Sequence, residues 1–159
     1  MAKKKPKETF PAIGFQLLLA AIIAISLVEC LLAGLGIIPP ILSYSPANIF
    51  FALLRIAIAV YAGYSFAAGG MARAALRGGG LFLASSLAIC ALVFAAPYFA
   101  THPILGVFVM EGSLPSLLAV IVAENTLAGA AIAAIVAWLS GQNFSKSWFL
   151  SKRARQLRA

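Results

Sequence analysis

The sequence predicts an all-α integral membrane protein, a four-transmembrane-helix bundle with both termini cytoplasmic, and three observations predict it. Of its 159 residues 63% are hydrophobic and only 10% charged, whereas a soluble domain carries roughly 25% charged residues. The apolar residues gather into four runs near the length of about 20 residues that roughly 30 Å of hydrocarbon requires at about 1.5 Å of rise per residue. The basic residues then mark one side. The N-terminus, the connection after the second run and the C-terminus carry every Lys and Arg except Arg55, and the two opposite connections carry none, as the positive-inside rule demands of four spans.

Residues 1–12 form a basic tail containing Lys3, Lys4, Lys5 and Lys7. The first span covers about 15–38. It is too long for a signal-peptide core of roughly 7–15 residues and contains Glu29, so it reads as a retained helix. Pro39 and Pro40 end it, residues 41–44 form a turn, and Ser45-Pro46 opens the second span as N-cap and first helical residue. That span runs over about 46–68 and leaves at Gly69-Gly70. Residues 71–80 read as a cytoplasmic loop, with Arg73 and Arg77 one helical turn apart and Gly78, Gly79 and Gly80 letting the chain reverse. The third span covers about 81–99. In the outer loop that follows, residues 104–110 are apolar but too short to cross, and are expected on the interface or dipping into it. Ser113, Leu114 and Pro115 open the fourth span, 115–139, which completes a single transmembrane domain over 13–140. The tail 141–159 sets Phe144, Trp148 and Phe149 among Lys146, Lys152, Arg153, Arg155 and Arg158, and reads as an interfacial basic helix.

The net charge of +8 invites a nucleic-acid reading. The basic residues flank apolar runs, however, where topology selection places them and where each attracts anionic headgroups by about 1 kcal/mol. The expected partners are therefore a bilayer with anionic headgroups, other membrane proteins or a second copy of the chain, and no nucleic acid. Cys30 and Cys90 lie within apolar runs as small hydrophobes. With no CxxC and a single histidine, His102, neither a metal nor a cofactor is expected. There is no Asp for a paired-aspartate hydrolase, and His102 and Glu111 read as ordinary residues of the outer loop. The three glycines lack the Lys-Ser/Thr of a phosphate-binding loop. The chain is not expected to be an enzyme.

Three charges fall inside spans, each costing about 2.5–3.5 kcal/mol at a helix centre on an insertion scale. Glu29 lies nine residues before Ile38, Arg55 nine after Pro46 and Glu124 nine after Pro115, a common depth of roughly 13 Å at about 1.5 Å per residue. Arg55 is expected to bridge Glu29 and Glu124. Small or polar neighbours at helical spacing suggest faces turned inward: Ser26, Ala33 and Gly36 beside Glu29; Asn48, Ala52, Ala59 and Ala62 beside Arg55; Ala128 and Ala131 beside Glu124. Ala59, Gly63 and Ala67, like Gly129, Ala133 and Ala137, form rows suited to close helix packing. The polar residues available to line a path are Ser26, Asn48, Asn125 and Thr126, with Gln16, Ser85 and Ser86 beyond them.

Two carboxylates on one guanidinium leave an excess negative charge, which a proton or a cation must settle. The expected function is a structural or accessory interaction subunit of a membrane assembly in the cell membrane. The alternative is a proton- or cation-coupled transporter using Glu124 and Glu29. In its four spans and first-span glutamate, Glu29, the chain resembles small multidrug exporters. Arg55 and Glu124 depart from that pattern, and no motif assigns the chain to the family.

Overall fold

A computed structural model describes residues 14–106 and 114–156, with backbone alone for 142–156. Lys3, Lys4, Lys5, Lys7 and Glu111 lie outside the described residues, as do the side chains of Lys152, Arg153 and Arg155. The described residues form α1 (Phe15–Gly34), α2 (Pro46–Ser65), α3 (Met71–Ala95) and α4 (Leu114–Gln156), with short 3₁₀ turns at Ile41–Ser43, Ala67–Gly69 and Ala96–Tyr98 and no strand. Four helices are long and apolar enough to cross a membrane, α4 through its part Leu114–Gly141.

The first helix stops at Gly34, short of the expected Ile38, because its C-terminus closes on itself. Gly36 takes a left-handed φ of 70°, the N–H of Gly36 donates to Ala33 O, and that of Ile37 donates to Leu32 O at 2.9 Å. This is a Schellman cap, which satisfies carbonyls that a helix end otherwise leaves bare. The chain after α3 completes it: Thr101 N and His102 N both donate to Gly34 O, at 2.8 and 3.1 Å. The His102 ring stands 2.5 Å from where a Cβ at residue 36 would lie.

α2 begins where proline and serine place it, with Ser45 Oγ accepting from Asn48 N at 3.2 Å. Asn48 is buried and turns its amide back over the α1–α2 turn, with Nδ2 donating to Pro40 O at 2.6 Å and lying 3.2 Å from Ser43 Oγ. Pro40 O also accepts from Ser43 N at 3.0 Å and from Ser43 Oγ at 2.7 Å, so the Asn48 amide joins α2 to a turn that closes on itself. Asn48→Ala removes that donor and is expected to lower stability by about 1–3 kcal/mol, measured as a fall in thermal midpoint in detergent, whereas Asn48→Asp keeps the shape but not the donor and should lose as much.

The third helix differs most from expectation. Residues 71–80, read as a loop, are its first ten residues, and the turn before it is only residues 66–70. Gly78 and Gly79 are buried within the helix and do not reverse the chain. Their lack of side chains serves close packing against α4, the most extensive helix pairing in the bundle. A Cβ on Gly78 would meet Ala133 Cβ and Gly129 O, and one on Gly129 would lie 2.7 Å from Gly78 O. Gly63 on α2 faces the same stretch, where a Cβ would lie 2.7 Å from Ala133 O.

The core divides along the bundle. One cluster joins Leu18, Ile22, Ala59, Ala62, Leu81 and Phe82; the other joins Cys30, Ile89 and Leu118 to Ile104 and Leu105 of the connection after α3. Ile104 and Leu105 are therefore tucked into the bundle, and Ile104 O accepts from Ile41 N at 2.9 Å. Residues 107–110 of the same apolar stretch lie outside the described residues. α4 passes without interruption through Gly141 to Gln156. At about 1.5 Å per residue its 43 residues reach roughly 64 Å, twice the thickness of a hydrocarbon core.

Candidate functional site

α1 buries one stripe, Leu18, Ile22, Ser26, Glu29, Cys30 and Ala33, at the spacing of a helix face packed against neighbours. Ser26 and Glu29 interrupt that stripe with polar groups, and both are fully buried. A different helix answers each of them. Ser26 Oγ donates to Ile22 O at 2.9 Å and lies 2.6 Å from Ser85 Oγ of α3. Either hydroxyl can be the donor in that pair.

One turn further along α1, Arg55 of α2 reaches across and its Nη1 donates to Glu29 Oε2 at 2.6 Å. The Glu29 side chain is 0% exposed and that of Arg55 12%, so the pair is enclosed by the bundle. Charge-assisted contacts of this length are the strong ones. The other carboxylate oxygen, Glu29 Oε1, is buried with no hydrogen-bond partner, as is Ser86 Oγ of α3. The seam between α1, α2 and α3 therefore holds a balanced ion pair, a serine pair and one carboxylate oxygen that makes no hydrogen bond.

Glu124 does not join this centre. Its side chain is exposed on α4, and the expected Arg55 bridge between two carboxylates is a single pair with Glu29. The reason is azimuth rather than depth. α4 turns Leu118, Gly129, Ala133 and Ala137 into the bundle. Glu124 precedes Ala133 by nine residues, which at about 100° per residue is roughly 900°, or half a turn beyond a whole number of turns. Ala128 and Ala131 share the outward face and are exposed with it.

The proposed lining residues do other work. Asn48 secures the α1–α2 turn, Thr126 Oγ1 donates to Val122 O of its own helix at 2.7 Å, and Asn125 is half-buried. Of the basic residues, Arg73 is exposed. Arg77 lies with its guanidinium carbon 3.9 Å from the Phe66 ring centroid and 5.8 Å from that of Phe15, tying the start of α1 to the α2–α3 turn through cation–π contacts. Its charge is thus part of the packing at that end. Cys30 is buried and Cys90 half-buried, both as free thiols, and among the described residues no group of three or more His, Cys, Asp or Glu could hold a metal ion.

No family model, curated protein or solved structure shows significant similarity to the chain.

Proposed function

We propose that the four helices cross a cell membrane with both termini in the cytoplasm, and that the chain is a structural or accessory subunit of a membrane assembly. The observation that carries this reading is the division of the three mid-helix charges. Glu29 and Arg55 neutralise each other inside the bundle, while Glu124 stands exposed on α4. An ionisable residue on the outside of a membrane helix is costly by about 2.5–3.5 kcal/mol, and burial against a partner offsets that cost. The enclosed pair then sets the register of α1 against α2, and α4 is the surface offered to the assembly.

The competing reading, a proton- or cation-coupled transporter, draws its support from Glu29 Oε1, a carboxylate oxygen with no hydrogen-bond partner. Two measurements separate the readings. Gently solubilised from its own membrane, the chain should sediment as part of a larger particle, and Glu124→Leu should release it. Reconstituted alone in liposomes, it should pass protons, sodium and potassium no faster than protein-free vesicles. A chain that sediments alone and conducts ions in a manner abolished by Glu29→Gln or Glu124→Gln would replace this proposal with transport.

A further inference from the structure

We infer that the Glu124 face of α4 takes a transmembrane helix of a different protein, one that carries a lysine or arginine in mid-span. The inference rests on the interaction-subunit reading and specifies the chemistry of the partner. Glu124 lies ten residues from Leu114 and 17 from Gly141, roughly 15 Å and 25 Å along the helix at about 1.5 Å per residue. At that depth a short glutamate side chain cannot reach either headgroup region, unlike the long Lys and Arg chains that snorkel from helix ends. The surroundings suit a helix. Val120 and Leu127 are 52% and 70% exposed, and Ala123, Ala128 and Ala131 beside Glu124 on the helix are exposed and small, letting a second backbone come close. Of the four candidate spans α4 has the smallest buried share, 11%.

Charge complementarity decides the occupant. Within this chain the one mid-span cation, Arg55, is already bonded to Glu29, and Arg73 and Arg77 belong to the first turns of α3, with Arg77 held over Phe66. A second copy therefore has no cation to offer at the depth of Glu124, and a twofold pairing of this face would set Glu124 against Glu124. A basic mid-span residue on another protein's helix meets the carboxylate and is itself relieved of the same burial penalty.

The test uses the full-length chain in liposomes, labelled for energy transfer to a synthetic Leu/Ala transmembrane peptide with a single mid-span Lys. The control peptide carries Leu at that position. The chain should prefer the Lys peptide by about tenfold, Glu124→Leu should abolish the preference, and Ala128→Leu should weaken it. Because both substituted positions are exposed, circular dichroism and thermal midpoint should match the parent chain, which separates lost docking from lost folding. Equal binding of the two peptides, or a preference that survives Glu124→Leu, overturns the inference. Energy transfer between two labelled copies that vanishes in Glu124→Leu also overturns it, but leaves the interaction-subunit reading standing. Ion flux that depends on Glu124, with no association of any kind, removes both.

Discussion

Arg55→Ala is expected to be among the most destabilising single substitutions in the chain, with most of the loss recovered when Glu29→Gln is added to it. Arg55 Nη1 and Glu29 Oε2 are 2.6 Å apart, and the carboxylate has no exposure at all. Removing one partner of a buried pair leaves the other charge uncompensated, at a cost of about 3–5 kcal/mol. Glu29→Gln alone keeps an acceptor for the guanidinium but leaves a partly buried cation without its counterion, so it should cost less than Arg55→Ala. The double variant buries an amide and an alanine in place of two charges. It should therefore be more stable than Arg55→Ala, with a coupling energy in the cycle well above the few tenths of a kcal/mol found for independent sites. Thermal midpoints in detergent for the four proteins measure this directly. A double variant no better than Arg55→Ala would mean that Arg55 acts by packing its stem rather than by charge. Glu124→Gln in the same series should be close to neutral, because that side chain is exposed and has no ion pair.

The same contrast shows what the residues alone disclose. Four helices are legible in the apolar runs because a span must be continuous and long, and the start of α2 is legible because Ser45-Pro46 admits few other readings. The Glu29–Arg55 pairing is legible as well: both residues lie near the same short α1–α2 connection, and the long arginine side chain spans the four residues by which α1 ends before Ile38. Glu124 is counted from a different connection, and depth says nothing about direction. The correction was nonetheless available. Gly129, Ala133 and Ala137 form a row suited to close packing, and nine residues between Glu124 and Ala133 put those two on opposite sides of one helix. Both could not face the same interior.

The ends of α1 and α3 are harder to read for two reasons. Gly36 ends α1 through a positive φ, but Pro39 and Pro40 three residues on are the louder stop signal. Three consecutive glycines ordinarily weaken a helix by about 0.5–1 kcal/mol each relative to alanine, so residues 71–80 resemble a loop. Packing overrides that propensity. The backbone of α4 occupies the space that a side chain at Gly78 would need, as α3 occupies that at Gly129, and no local pattern in residues 71–80 reveals a neighbour fifty residues away. The cap that Thr101 and His102 place on Gly34 O is nonlocal in the same way.

Gly78→Ala and Gly80→Ala, two positions apart, are expected to change stability in opposite directions. At Gly78 the added methyl would overlap Ala133 Cβ and Gly129 O. One of these is a backbone atom within a helix, which cannot rotate away as a side chain can, so α3 and α4 must separate along their most extensive contact. Overpacking of this kind costs about 1–3 kcal/mol, and Gly78→Leu should cost enough to prevent recovery of folded protein. Gly129→Ala meets Phe82 Cγ at 2.5 Å and Gly78 O at 2.7 Å and should behave like Gly78→Ala, since each glycine receives the other's carbonyl. A Cβ at Gly80 has nothing within 4 Å. There the substitution should stabilise the helix by about 0.5–1 kcal/mol, the ordinary preference of a helix interior for alanine over glycine. Thermal midpoints of the three variants decide between the two meanings of the glycine run. If 78 and 80 respond alike, the run is a flexible connection and the α3–α4 crossing is not held as described. If they respond with opposite signs, the glycines are there for the approach of α4, whose inward face they hold and whose outward face carries Glu124.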